Sequence, residues 1–353
     1  MAFTTIDDPS KYFQAKIYTG TGSSLALTFD GNSDLQPDLV WVKSRTNAYS
    51  NYIYDSTRGV QKRLLTDATS AESTLAQGLT AFGSDGMTFG TDAGANESSD
   101  AHVAWGWKAN GGTRTTNTES GNNPGGGYQA NTTGGVSIVD YTGTGAAGTM
   151  AHGLGTAPGV IIVKRRDDAS SWIVYHRGNT SAPETDILEL QANNATYDNS
   201  TYWNDTAPSS TVFTINTSSD GNADGATYIA YCFAEIQGFS KFGTYEGNGN
   251  ADGAFVYTGF KPAWIITKRT NNATDAHWHI FDVKRNTYNP RNTRLEGNNN
   301  FADSTGEGAD YLSNGFKWRS NDVRYNGSDD TYIYMAFAEH PFVSSEGVPC
   351  TAR

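Results

Sequence analysis

The sequence predicts an all-β protein made of three tandem antiparallel β-sandwich repeats with long loops and little helix. Three observations lead there. A seven-residue pattern (proline, one spacer, four mostly apolar strand formers, lysine) is written at residues 37–43, 158–164 and 262–268. A tyrosine followed by alternating glycines precedes each copy, at Tyr18, Tyr141 and Tyr245, and an apolar strand follows each, starting at Val103, Ile229 and Ile333. Landmarks kept in one order at nearly one spacing define tandem units of roughly 100 residues, about the size of a small sandwich. The composition agrees, because only 18% of residues are charged while 39 are glycine, as alternating strands and turns require.

Taken in order, the chain divides into a first repeat with an N-terminal arm (1–109), a Gly/Thr/Asn-rich linker (110–135), a second repeat (136–238), a third (239–342) and a tail (343–353). Residues 1–14 read as a docking arm or an edge strand. Leu39 to Val42 is a continuous apolar run, the mark of a strand buried on both faces, and a proline just before it is tolerated because the first strand residue need not donate to the ladder. Aromatics at Tyr52 and Tyr54, at Trp172 and Tyr175, and at Trp278 and Phe281 mark a core strand in every copy. The apolar spacing over 64–82 allows a helical turn. Each repeat is long enough for its own core; the short 236–242 connection packs the second repeat on the third and leaves the first the most independent.

Composition excludes several functions. A net charge of -12 and a pI near 4.9 argue against nucleic-acid binding, which needs clustered Lys and Arg. The densest basic run, Lys164-Arg165-Arg166, reads as a solvated strand end. Nowhere do eighteen apolar residues run together and the N-terminus has no basic and apolar signal regions, so neither membrane insertion nor secretion is expected. Cys232 and Cys350 read as free thiols in a reducing cytoplasm.

Few residue patterns suggest chemistry. Asp220, Asn222 and Asp224 fall at the first ligand positions of a calcium loop, yet Tyr231 stands where a bidentate Glu belongs, and Asp-Gly and Asn-Gly also make ordinary turns. His277 and His279 alternate on a strand without spaced zinc partners. Glu235 and Glu339 end equivalent strands and suggest an acid/base pair of the glycosidase kind, against which Ala109 holds the same place in the first repeat. No nucleophile elbow, phosphate loop or dinucleotide fingerprint occurs, so no catalytic or cofactor-binding residue is assigned. Aromatics make up 12% of the chain. Tyr202, Trp203, Tyr288 and Trp318, together with His277, are the candidates for a recognition surface, set against the alternative that they cover satellite cores under loops.

Beyond these readings, residues 7–13 (Asp-Asp-Pro-Ser-Lys-Tyr-Phe), the Tyr18-Thr19-Gly20-Thr21-Gly22 landmark, the 37–43 pattern, residues 100–108 and the closing residues 332–342 resemble a repeat common in virion proteins of tailed bacteriophages, especially marine ones. The resemblance covers nearly the whole chain except the linker and tail. It implies a lectin-like or jelly-roll sandwich used structurally in the virion and assembled in the host bacterial cytoplasm. On that basis the chain is a non-enzymatic, tail- or fibre-associated module on the particle surface that contributes to host attachment, with capsid decoration and a glycan-cleaving enzyme as alternatives. Its expected partners are other virion proteins, further copies of itself and host-surface glycan. The sequence has no heptad coiled coil, collagen-like segment or long β-helical repeat of the sort that builds fibre shafts.

Overall fold

The computed structural model describes residues 4–350. It is nearly all-β, 43% strand and 4% helix, and its sheets are antiparallel throughout. The few helices are single turns, such as Ala93–Asn96, Ser200–Trp203 and Ser219–Asn222. The helical turn expected over 64–82 is instead extended: Lys62–Leu65, Ser73–Thr74 and Leu79–Gly83 are strands. Leu64 and Leu79 face different cores, a period no helix was needed to satisfy.

Three large sheets share one strand order. The first runs Phe13–Thr19, Ala101–Trp107, Leu39–Ser44, Tyr52–Asp55, Lys62–Leu65. The second repeats it as Val136–Thr142, Thr227–Phe233, Val160–Arg165, Trp172–His176, Asp186–Glu189, and the third as Ser240–Glu246, Thr331–Pro341, Phe260–Arg269, His279–Asp282, Arg291–Glu296. The lysine pattern is the central strand in each case, buried from end to end apart from Arg165. Its alternate residues serve two cores: Leu39 and Trp41 join one cluster while Val40 and Val42 join another, which is why the run lacks polar alternation.

The clusters correct the expectation of separate cores. One apolar cluster takes residues from all three sheets, with Trp41, Trp105 and Trp107 beside Val160, Tyr231 and Phe233, and beside Trp264, Ile266 and Phe337. At its centre Trp107, Phe233 and Phe337, which hold the same place in three equivalent strands, form a triangle with ring centroids 6.4, 5.8 and 6.0 Å apart. The first sheet is therefore as firmly embedded as the others. Each such aromatic pair adds about 0.5–1.5 kcal/mol beyond its buried area.

The expected linker is also structure. Thr115–Asn117 and Gly126–Asn131 are strands that extend the second sheet, the latter pairing with Val136–Thr142. Some of the glycines there sit where chains pack closely: a Cβ on Gly126 would lie 2.0 Å from the Asp140 carbonyl oxygen. The segment ahead of the first sheet ends in the edge strand Phe13–Thr19, and the tail returns to it, Ser345 N donating to Asp7 at 2.7 Å.

Candidate functional site

The tyrosine-glycine landmark is a clamp around a buried asparagine. Asn96, Asn222 and Asn326 each accept from the residue between the two glycines, Thr21 N at 2.8 Å, Thr144 N at 2.9 Å and Asn248 N at 3.0 Å, while their carbonyls accept from Gly22, Gly145 and Gly249. Those glycines have φ between +63° and +69°, which strains any side chain. The proposed calcium residues are absorbed here. Asn222 donates its amide to Ala146 O and Asn216 O, and Asp220 accepts from Ser170 Oγ at 2.7 Å, Ser171 N at 3.2 Å and the Tyr202 hydroxyl at 3.1 Å. Asp224 is exposed on the following turn. Ser219–Asn222 fold as a helical turn, and the side-chain oxygens of Asp220 and Asn222 are taken by protein donors; among the described residues no group of three or more His, Cys, Asp or Glu is placed to hold a metal ion.

The recognition aromatics are mostly core. Trp318 is fully buried and stacks on Tyr325 at 4.9 Å; Trp203 lies edge-on to Tyr175 at 6.0 Å; Tyr202 is buried over Asp220. This corrects their placement on the surface: Trp318 belongs to the cluster shared by the three sheets, and Tyr202 and Trp203 to the cluster on the other face of the second sheet. Tyr288 is the exception, 80% exposed. His277 is partly buried with Nδ1 2.9 Å from Asn298, and His279 is fully buried with Nε2 3.3 Å from the Asp275 carbonyl. Glu235 and Glu339 are both ion-paired, the first with Arg177 at 3.0 Å and Lys241 at 3.1 Å, the second with Lys261 at 2.7 Å, and they line different clefts.

What the fold does bring together is a set of seams where each large sheet meets the next. Asp55, His176 and Asp282 close equivalent strands and reach across. Asp55 accepts from the Tyr231 hydroxyl at 2.7 Å, Asp282 from Trp105 Nε1 at 3.1 Å, and His176 Nε2 donates to Tyr334 O at 3.1 Å. Four residues earlier a second crossing runs to the opposite neighbour: Asn51 Nδ2 to Glu296 O at 3.1 Å, Trp172 Nε1 to Leu65 O at 2.7 Å, Trp278 Nε1 to Glu189 O at 2.9 Å. The direction is cyclic, first sheet to third, second to first, third to second, so the ring closes.

The pattern lysines are capped by carbonyls, and two of them, Lys43 and Lys164, reach across a seam. Lys43 Nζ donates to Ser44 O at 2.9 Å and Asn300 O at 3.2 Å, Lys164 Nζ to Ser170 O at 2.9 Å and Thr69 O at 3.1 Å, and Lys268 Nζ to Ala276 O at 2.6 Å. Burial lowers Lys43 and Lys164 to about 8 and Lys268 to about 7, since an ammonium loses water that carbonyls only partly replace. The solvated strand end expected at 164–166 is thus corrected: Lys164 is buried, and Arg166 crosses to Glu72 at 3.0 Å.

Two seams carry buried ion networks that spacing alone did not announce. Arg58 pairs with Asp55 and Glu72, and Arg285 with Asp282 at 2.6 Å and Asp303 at 2.9 Å, all four Asp55, Arg58, Asp282 and Arg285 side chains at 0% exposure. The signal was present as Asp-x-x-Arg at 55–58 and 282–285, directly after the aromatic strand. Chemically these groups hold sheets together: every carboxylate faces an arginine.

Comparison with known proteins adds a family. No curated protein matches the chain. Residues 8–341 match the family model described as a domain of unknown function, DUF7483. That span runs from the start of the first sheet to the last strand of the third, so the chain belongs to the DUF7483 family.

Proposed function

We propose that the protein is a non-enzymatic structural component of a tailed-bacteriophage particle, built of three β-sandwich repeats closed into one pseudo-threefold body and exposed as a tail- or fibre-associated module. The observation that carries this reading is the cyclic seam. Its polar groups are consumed in joining sheets, as in a part whose task is to keep its shape while others bind to it. The resemblance of the clamp and strand motifs to phage virion repeats supports the same conclusion. Host-surface glycan and further copies of the chain are the partners this reading carries with it. Capsid decoration is the second reading, favoured by the triangle of Trp107, Phe233 and Phe337, because a pseudo-threefold body suits a threefold position on a head lattice.

The deciding experiment is quantitative mass spectrometry of purified particles followed by imaging with an antibody to this chain. Fixed copy number with label at the tail supports the first reading, label over the head the second. Absence from particles that contain their other structural proteins rejects both.

A further inference from the structure

The seams between the sheets are filled differently, and one is open. Between the first and second sheets, Gln129 of the strand Gly126–Asn131 is 1% exposed. Its amide nitrogen donates to Ser56 Oγ at 2.8 Å and Thr57 Oγ1 at 2.6 Å, and its oxygen accepts from Gly112 N at 2.9 Å. That strand covers the edge of Val136–Thr142, with Gln129 opposite Ile138. The equivalent leading strand of the first sheet, Phe13–Thr19, pairs with Ala101–Trp107 and, among the described residues, has no strand on its other edge, where the side chain of Asp30 crosses between Lys16 at 3.4 Å and Lys284 at 2.6 Å. Ala15 stands where Ile138 stands, and Val283 and Lys284, which follow Asp282, stand where Ser56 and Thr57 follow Asp55. Between them lies a cavity of about 190 Å³ lined by Ala15, Ala263, Val283, Lys284, Glu339 and His340. Further along the same edge Ile17 is 39% exposed, an apolar side chain left uncovered on an edge strand.

We infer that the free edge of Phe13–Thr19 is a docking site for an extended strand of a partner protein, which pairs antiparallel as Gly126–Asn131 does with the second sheet and inserts an amide side chain, opposite Ala15, into the cavity at the third-to-first seam. The internal strand shows what fits: glycine opposite the positions of Ile17 and Tyr18, and glutamine opposite Ala15. Added strands gain affinity from main-chain hydrogen bonds and specificity from alternate side-chain pockets. Charge selects as well. Of the charges that line the cavity, Glu339 is already paired with Lys261 and Lys284 with Asp30, so a neutral amide enters without leaving a charge unpaired. This inference stands on the edge and its cavity, whether or not the virion reading holds.

The test uses the full chain and a synthetic peptide with the sequence of residues 124–133, followed by amide hydrogen exchange. Millimolar peptide should slow exchange at Ala15 through Thr19 at least about fivefold, and replacing the glutamine of the peptide by glutamate should weaken binding about tenfold, the scale of one buried hydrogen bond lost. Val283→Arg, which fills the cavity, should abolish the protection. Lys284→Glu, at a half-buried side chain, should leave the fold intact and shift preference to a peptide carrying lysine at that position. No protection at saturating peptide, or protection indifferent to the glutamine and to both variants, overturns the inference. Concentration-dependent protection of the same amides without peptide also overturns it, by showing that a second copy of this chain covers the edge.

Discussion

Two seams of the ring are charged and one is neutral at the same four positions. At the first-to-second seam these are Asp55, Arg58, Glu72 and Arg166; at the third-to-first, Asp282, Arg285, Asp303 and Arg45. At the second-to-third seam they are His176, Asn179, Thr196 and Thr270, where Asn179 Oδ1 accepts from Thr196 Oγ1 at 2.6 Å and Thr196 N donates to Thr270 O at 2.8 Å. The geometry survives a complete change of chemistry. The contacts that define the ring are therefore backbone placement and apolar burial, and the polar groups set how each seam responds to mutation and pH.

The largest difference is expected from removing one partner. Arg285→Ala or Arg58→Ala leaves a fully buried carboxylate without its counter-charge, which costs about 3–5 kcal/mol. Urea unfolding measures it as a lower midpoint at unchanged slope. A loss below about 1 kcal/mol would show that water enters the seam. Phe337→Ala, which empties a corner of the central triangle, belongs in the same range, about 3–5 kcal/mol, and acts on all three seams at once.

These residues explain what was legible. The ring's central strands, the clamp glycines and the all-β class are written locally, because a buried strand and a positive-φ turn each impose their residue types within a few positions. The seams are contacts between residues from 74 to 258 positions apart, and the neutral seam shares no residue type with the charged ones, so neither spacing nor identity marks it. The segment 110–135 failed for a related reason: Gly126 and Gly127 serve a strand squeezed against its neighbours, and composition alone reads them as slack. Trp203 and Trp318 were misplaced because their sequence neighbours are polar, while burial is decided by what folds over them.

Acid should separate the seams next. Burial holds His176 neutral and lowers it to about 4, from an ordinary value of 6.5. In the unfolded chain the imidazole takes up its proton near 6.5; in the folded chain it does not until about 4. The unfolded state therefore binds more protons over that window, and stability falls as pH drops from 6.5 toward 4, by about 3 kcal/mol for a shift of this size. His102, also lowered to about 4 by burial, adds to the slope from elsewhere in the first sheet. His176→Gln keeps a donor toward Tyr334 O without a titrating group, so its unfolding midpoint should lose less than that of the parent between pH 7 and pH 4.5. Equal losses would place the acid sensitivity outside this seam.

The smallest effect is expected at Asn179, which holds the place of the two buried arginines. Asn179→Ala removes one neutral hydrogen bond, and the orphaned Thr196 hydroxyl faces a cleft of about 450 Å³ lined by Asn179, Thr196 and Thr270. Water can reach that hydroxyl, so the loss should be about 1 kcal/mol, within the range of a net hydrogen bond and well below the cost of a stranded carboxylate. The same truncation at three equivalent positions thus separates two terms that geometry alone cannot: the join itself, common to all three seams, and the penalty of an uncompensated buried charge, present in two. If Asn179→Ala proves as damaging as Arg58→Ala, the common term dominates, and the charged networks contribute no more to holding the ring than one amide does.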